Sequence, residues 1–250
     1  MKKNKKFSFG TWITLPSNDI AEILSKAGFD WIAVDLEHSA ITESQAQDLI
    51  RVINLSGKES LVRLKSNSEV QIKKVLDMGA HGIIVPNVKS ISDIDYAYKS
   101  MKYPPNGNRG IGLSRAQGYG NNFSSYLQWQ KSNTKLIIQI ENKDALSNLD
   151  EIFSSKKIYS FIIGPYDLSG SLGVAGKFES PIFKNAIKKI IRKADKYKII
   201  KGIHIIEPNV KNLKKAIKQD YTFIAYSLDI RMIDTKAREI NDLKKNINVK

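Results

Sequence analysis

Four short stretches concentrate the side chains that can do chemistry. Asp35-Leu-Glu37-His38 holds two carboxylates and a histidine, and Gln139-Ile-Glu141 sets an amide two residues before a carboxylate. Gly164-Pro165-Tyr166-Asp167 ends a turn-forming pair on an acid, and Arg63 closes an apolar run. His204, Glu207, Asp229 and Arg231 come later in the chain. Residues two apart share a face of a strand, so Gln139 and Glu141 point the same way, as do Asp35 and Glu37 if their strand continues that far. A carboxylate turned into a protein interior is costly unless it is paired, hydrogen-bonded or metal-bound. Two of them, Glu141 and Asp167, with water in the remaining positions, suit a hard divalent ion such as Mg²⁺ or Mn²⁺. Such an ion can polarise a carbonyl and stabilise an enolate. Each acid also has a plainer role, Glu141 as an acidic residue opening a helix and Asp167 as an N-cap. Taken singly, His38 reads as structural and His204 as a packed core residue. The chain has no cysteine, which removes disulfides, thiolate metal sites and cysteine nucleophiles.

The hydrophobic pattern shows what must hold these residues. Short apolar runs predict strands at Phe9–Leu15, Trp31–Asp35, Ser60–Leu64, Gly82–Pro86, Leu136–Glu141, Ser160–Gly164, Lys201–Ile205 and Thr222–Tyr226. Helical patterns lie between them at Ile20–Ala27, Glu43–Leu55, Glu69–Met78, Ile91–Met101, Ala145–Phe153, Phe183–Tyr197 and Val210–Lys218, with a tail from Ile230. The clearest, Phe183–Tyr197, places Phe183, Ala186, Ile187, Ile190, Ile191 and Ala194 on one face. Eight strand–helix alternations in 250 residues predict one (β/α)₈ barrel domain spanning residues 1–250, with function at the C-terminal ends of the strands. There the four stretches converge, while His81 falls ahead of its strand and outside the site. The irregular stretch Tyr103–Asn122 is expected to loop over the active face. Gly110-Ile-Gly112 does not follow a strand and makes a poor dinucleotide motif.

Forty basic residues against 25 acidic ones leave a net charge of +15. Only seven of the forty are arginines, and the lysines spread over presumed helix surfaces, so a solvated surface accounts for them and nucleic acid is not the expected partner. No apolar run is long enough to cross a bilayer, and the lysine-rich start leads into no signal core, so a cytoplasmic setting with no membrane partner is expected.

At this point the chain resembles the class II, metal-dependent pyruvate aldolases of the 4-hydroxy-2-oxoheptanedioate and 2-dehydro-3-deoxyglucarate aldolase type. The markers run in order from Gly28-Phe-Asp-Trp31 and Asp35-Leu-Glu-His38 through Val62-Arg63, Gln71-Ile-Lys-Lys-Val-Leu-Asp-Met-Gly79, Val85-Pro86 and Tyr103-Pro-Pro105. They continue with Arg109-Gly-Ile-Gly112 and Gln139-Ile-Glu141 to Ile163-Gly-Pro-Tyr-Asp-Leu-Ser169. Each is weak alone; their order and spacing over roughly Gly10 to Ile233 are specific.

The resemblance implies a phosphoenolpyruvate/pyruvate-type barrel and an aldehyde-lyase that cleaves or forms 4-hydroxy-2-oxo acids from pyruvate and an aldehyde. It implies that Glu141 and Asp167 hold the divalent metal, Mg²⁺ or Mn²⁺ first and Co²⁺ or Zn²⁺ as alternatives. Pyruvate would chelate it through the keto oxygen and one carboxylate oxygen. Arg63 would bind the keto oxygen, Gln139 would orient the ligand or a water, and the backbone around Gly164, Pro165, Tyr166 and Asp167 would hold the pyruvate carboxylate. His38, oriented by Asp35, would act in proton transfer. A homo-oligomer, trimer or hexamer, is also implied. Two places depart from the family pattern. Glu37-His38-Ser39-Ala40 lacks a proline common there, and Ala225-Tyr226-Ser227-Leu228-Asp229 replaces a small Gly-Val-Asp ending, so Tyr226 and Arg231 are expected to shape the acceptor pocket.

Three rival readings compete. A Schiff-base aldolase would need Lys65, and would leave the carboxylate pair unexplained. A related lyase would cleave acyl-CoA or citryl thioesters. A non-enzymatic basic barrel would bind nucleic acid.

Overall fold

The computed structural model describes residues 6–246. Eight parallel strands close into a barrel in chain order, each paired with its sequence neighbours and the last with the first. They are β1 (Ser8–Ile13), β2 (Trp31–Asp35), β3 (Glu59–Arg63), β4 (Gly82–Val85), β5 (Lys135–Ile140), β6 (Ser160–Ile163), β7 (Ile200–Ile205) and β8 (Phe223–Leu228). Between them run α1 (Asn18–Lys26), α2 (Glu43–Leu55), α3 (Glu69–Asp77), α4 (Ile91–Met101) and α5 (Phe123–Asn133). The second half adds α6 (Lys143–Ser147), α7 (Leu149–Ser154), α8 (Pro165–Ser171), α9 (Pro181–Tyr197), α10 (Val210–Lys218) and α11 (Asp229–Asn246). Among the described residues no helix is long and apolar enough to cross a membrane.

The period-2 alternation of the strands sorts the core into two shells. Trp12, Trp31, Ala33, Leu61, Ile84, Ile137, Ile162, Phe223 and Ala225 fill the barrel interior. Alternate residues such as Ile32, Val34, Val62, Ile83 and Ile138 pack outward against the helices. Gly10 is obligatory in this arrangement, because a Cβ there would lie 2.0 Å from the Trp31 ring. Trp31 in turn stacks on Phe223 at 4.4 Å, which plugs the lower barrel. The same parity carries upward from Trp31 and Ala33 to Asp35, from Leu61 to Arg63 and from Ile137 to Gln139. These polar residues are therefore the top inward layer, set above the apolar middle of the barrel.

Helix boundaries follow their caps. Thr42 and Gln45 form a capping box at α2, and Pro165 opens α8 after Gly164. In α9 Phe183, Ala186, Ile190 and Ala194 are buried, as their spacing predicts.

The structure corrects the expectation for Tyr103–Asn122. This stretch follows the C-terminus of α4 and lies at the N-terminal end of the barrel, opposite the active face. Arg109 pairs with Asp77 at 2.5 Å and Arg115 donates to the Met78 carbonyl at 3.0 Å, both just ahead of β4. It also contains a short 3₁₀ segment, Arg115–Gly120, and leads into α5, whose weak amphipathic pattern hid it. The helix expected over Ala145–Phe153 is two, α6 and α7, broken at Asn148.

Candidate active site

Asp35 and Arg63 are register partners on β2 and β3. Adjacent inward positions let them form a two-point ion pair, Arg63 Nε to Asp35 Oδ1 at 2.8 Å and Nη2 to Oδ2 at 2.6 Å. Asp35 is 1% exposed, and its Oδ1 also accepts the backbone N–H groups of Glu37 and His38 at 3.0 and 3.3 Å. The remaining guanidinium nitrogen lies 3.3 Å from the Glu37 carboxylate. Trp12 lies against the guanidinium at 4.6 Å and stacks on His204 at 5.2 Å. Burial works against the Arg63 charge, but Asp35, Glu37 and Glu141 outweigh it and hold its pKa above the ordinary arginine value.

Glu141 follows directly on β5. Its Oε1 accepts the Asn87 backbone N–H at 2.6 Å and its Oε2 accepts from the Gln139 side-chain amide at 2.5 Å. Burial raises the Glu141 pKa and the charges of Glu37 and Asp167 raise it further, against the two hydrogen bonds. Burial likewise raises Glu37, where Arg63 opposes the shift and Asp35 and Asp167 add to it. Asp167 occupies the first turn of α8. Gly164, which opens that helix, must lack a side chain, since a Cβ would sit 2.3 Å from Glu141 Oε2 and 2.9 Å from Glu141 Cβ.

A cavity of about 430 Å³ opens here, lined among others by Trp12, Asp35, His38, Arg63, Gln139, Gly164, Pro165, Tyr166, Asp167 and His204, with Glu141 reached through its hydrogen bond to Gln139. The donor set fits a hard divalent cation. Gln139 Oε1 is buried without a hydrogen-bond partner, Glu37 Oε2 is buried with only the Arg63 guanidinium facing it at 3.3 Å, and burial together with neighbouring carboxylates raises the pKa of both Glu37 and Glu141. Among the described residues no group of three or more His, Cys, Asp or Glu forms a metal cage, so Glu141 and Asp167 would act with non-protein oxygens.

The structure thus assembles Asp35, Arg63, Gln139, Glu141, Gly164, Pro165, Tyr166 and Asp167 at one end of the barrel. His38 sits at the rim with its side chain 62% exposed and its ring Nε2 3.9 Å from Glu37. The expected orientation of its ring by Asp35 is not found, because both Asp35 oxygens face Arg63 and only the His38 main chain reaches them. His204, read from sequence as a packed residue, lines the cavity, with Nε2 3.2 Å from the Ser227 carbonyl. Burial first, then Arg63, lowers its pKa to about 4.

Tyr226 and Arg231 do not line the cavity; Leu228 and Ile230 do. Arg231 is held by Glu207 and Asp234, each at 2.7 Å. Asp229 accepts the Thr14 and Leu15 N–H groups, both at 2.8 Å, and so ties the end of β1 to the start of α11. Lys65 is exposed and lies outside the cavity lining. The sequence pattern gave Trp12 and Asn87 no role and placed Glu37 only as a carboxylate sharing a strand face with Asp35. Trp12 shares strand parity with Gly10, which could have exposed it; Asn87 contributes a backbone N–H to Glu141 at a φ of 52°, a left-handed angle that asparagine tolerates better than most residues, which is the one sequence signal it offers.

An all-parallel closed barrel with an acid-rich, arginine-anchored cavity at the C-terminal strand ends is a (β/α)₈ enzyme scaffold. Residues 8–234 match the family model described as HpcH/HpaI aldolase/citrate lyase. A hydroxypyruvate/pyruvate aldolase of Sagittula stellata is 34% identical over 229 residues, covering 91% of this chain and 89% of that protein. A 2-dehydro-3,6-dideoxy-6-sulfogluconate aldolase of Pseudomonas putida is 32% identical over 241 residues, covering 96% and 93%. The crystal structure of an HpcH/HpaI aldolase from Desulfitobacterium hafniense superimposes with a TM-score of 0.86 at 28% identity, covering 96% of this chain and 93% of that one. The chain belongs to the HpcH/HpaI aldolase/citrate lyase family, and it is an enzyme of the aldehyde-lyase type.

Proposed function

We propose that this enzyme cleaves or forms 4-hydroxy-2-oxo acids, with pyruvate enolate and an aldehyde as the two halves. The observation that carries the reading is the bidentate Asp35–Arg63 pair set beside Gln139 and Asp167 in one cavity, with Glu141 hydrogen-bonded to the Gln139 amide. A divalent cation held by Glu141 and Asp167, Mg²⁺ or Mn²⁺ in this reading, supplies Lewis-acid stabilisation of enolate charge when bound.

The chain's own groups do the rest. Arg63, locked by Asp35 and by the Trp12 face, presents its remaining N–H groups to the keto oxygen without having to reorganise, an effect commonly worth about 10²–10³ in rate. Gln139 holds Glu141 through its amide nitrogen and leaves its carbonyl oxygen free for a water or the ligand. The first-turn N–H groups of Tyr166 and Asp167, which have no partner within the helix, face the pyruvate carboxylate. His38, on the rim beside Glu37, accepts the C4-hydroxyl proton in the cleavage direction. Trp12 and Leu228 shield the enolate from bulk water.

The test is exchange of the pyruvate methyl protons in D₂O, followed by proton NMR with Mg²⁺ or Mn²⁺ and then with EDTA. Exchange that needs metal and falls in Arg63→Ala is the expected result. No exchange by folded, metal-loaded protein, in the presence or absence of an aldehyde panel, overturns the reading. The same proposal includes residues 1–250 as one domain, a trimer or hexamer in solution and a cytoplasmic setting. Light scattering and cell fractionation test the last two.

A further inference from the structure

A second pocket, of about 740 Å³, opens at the opposite end of the barrel between α2 and α5. Its size falls in the range of small-molecule sites, roughly 300–1,000 Å³. Three features show it to be built rather than left over.

Arg115 is seated on the backbone ahead of β4. Its Nη1 donates to the Met78 carbonyl at 3.0 Å and lies 2.4 Å from where a Gly79 Cβ would stand. Any side chain at Gly79 would unseat the guanidinium, and Asn54 holds that glycine by donating to its carbonyl at 2.8 Å. The other Arg115 nitrogens make no hydrogen bond within the described chain.

A second guanidinium, Arg51 on α2, lines the same pocket, and no acidic side chain lines it. Arg51 uses one nitrogen on Asp48 at 2.6 Å. Burial and then the Arg51 charge lower the Arg115 pKa, against an opposing contribution from Tyr119. His81 adds a donor. Its Nδ1 accepts the Ser60 N–H at 3.2 Å, which puts the ring hydrogen on Nε2.

The wall is aromatic. Trp129 meets His81 edge-on at 5.5 Å and stacks on Tyr126 at 5.7 Å. At the rim Tyr119 is 70% exposed and is held at a φ of 56°, a left-handed conformation that a bulky residue rarely adopts and that clusters at functional positions.

Planar guanidinium forks match phosphate and carboxylate, and an indole face suits a flat ring. We propose that this pocket binds a small molecule carrying an anionic group on a planar aromatic framework, the chemistry of a nucleoside monophosphate or an aryl phosphate. The inference does not depend on the reaction assigned to the barrel mouth.

The probe is adenosine 5′-monophosphate, titrated into the full chain and followed by calorimetry and tryptophan fluorescence, with adenosine and inorganic phosphate as its separate halves. Saturable binding about tenfold or more tighter than either half is expected, weakened about tenfold by Arg51→Gln or Trp129→Leu and unaffected by Mg²⁺ with pyruvate. Arg51 is partly exposed and, among the described residues, hydrogen-bonds through its side chain to Asp48 on its own helix, so its variant keeps the test valid if Arg115→Gln fails to fold. Four results overturn the proposal: no saturable binding at millimolar probe; equal affinity for adenosine; affinity retained in the Arg51→Gln, Arg115→Gln double variant; or displacement by Mg²⁺ with pyruvate, which would put the probe in the barrel mouth. Cross-linking that places a second copy of the chain in the pocket overturns it as well.

Discussion

Asp35 illustrates how one contact redistributes a site's labour. With both oxygens committed to Arg63, it fixes the guanidinium instead of the His38 ring. It is a positioning residue, and losing such a partner typically costs about 10–100-fold in activity or ligand affinity. Asp35→Asn should therefore slow pyruvate methyl exchange about 10–100-fold while circular dichroism stays native. An unchanged exchange rate would remove Asp35 from the positioning of Arg63. Gly164 acts by absence. The space its missing Cβ leaves is occupied by the Glu141 carboxylate, so Gly164→Ala must push that carboxylate away. A folded variant that has lost about tenfold or more in Mn²⁺ affinity by calorimetry is expected, in line with the cost of disturbing a ligand's support. Wild-type affinity would mean that Glu141 does not hold the metal in the conformation described.

Two elements show how secondary structure departs from pattern for a physical reason. β8 continues to Leu228 past a register shift against β1. Ser227 sits there at a φ of 56°, its hydroxyl donating to the Ile206 carbonyl at 2.8 Å and its carbonyl accepting from Thr11 and His204. The bulge turns Leu228, and not Tyr226, toward the cavity. The second element is α5, whose C-terminal carbonyls are capped from another helix's end. Lys102 Nζ donates to the Gln130 carbonyl at 2.6 Å, the Lys131 carbonyl at 3.1 Å and the Thr134 hydroxyl at 2.6 Å. Burial, and then Arg109, lowers the lysine pKa to about 8, so these acceptors stabilise a reluctant charge. Lys102→Met removes all three of these hydrogen bonds, leaving the Gln130 carbonyl only the Thr134 hydroxyl, and should destabilise the fold by about 1–3 kcal/mol. Faster hydrogen exchange confined to α5 and the following strand is the expected signature. Protection unchanged there would show that water replaces the cap.

Closure removes every sheet edge and gathers the site as a polar layer at the C-terminal end of the barrel interior. That layer couples the site to global stability through His204. Its pKa in the fold, about 4, is below the ordinary histidine value of 6.5, so the unfolded chain binds the extra proton in between. The contribution is therefore fully present above pH 6.5 and is lost as pH falls toward 4. Wild-type melting temperature should drop more steeply between those values than that of His204→Gln, measured in parallel by calorimetry. Parallel curves for the two proteins would show that His204 is not held neutral in the fold.

The barrel was legible in the chain alone, because strand and helix periods repeat along it and each run must bury one face. So was the meeting of Asp35, Arg63, Gln139, Glu141 and Asp167, because they recur at strand ends that closure brings to one rim. The pairings within that set came from the folded arrangement. Asp35 takes Arg63 instead of the His38 ring because strand register, and not chain proximity, makes them neighbours. The Asn87 N–H reaches Glu141 across 54 residues through a backbone angle that no residue type enforces. The face on which Tyr103–Asn122 lies followed from helix direction and from Arg109 and Arg115 anchoring beneath β4, long-range contacts that leave no periodic trace in the chain.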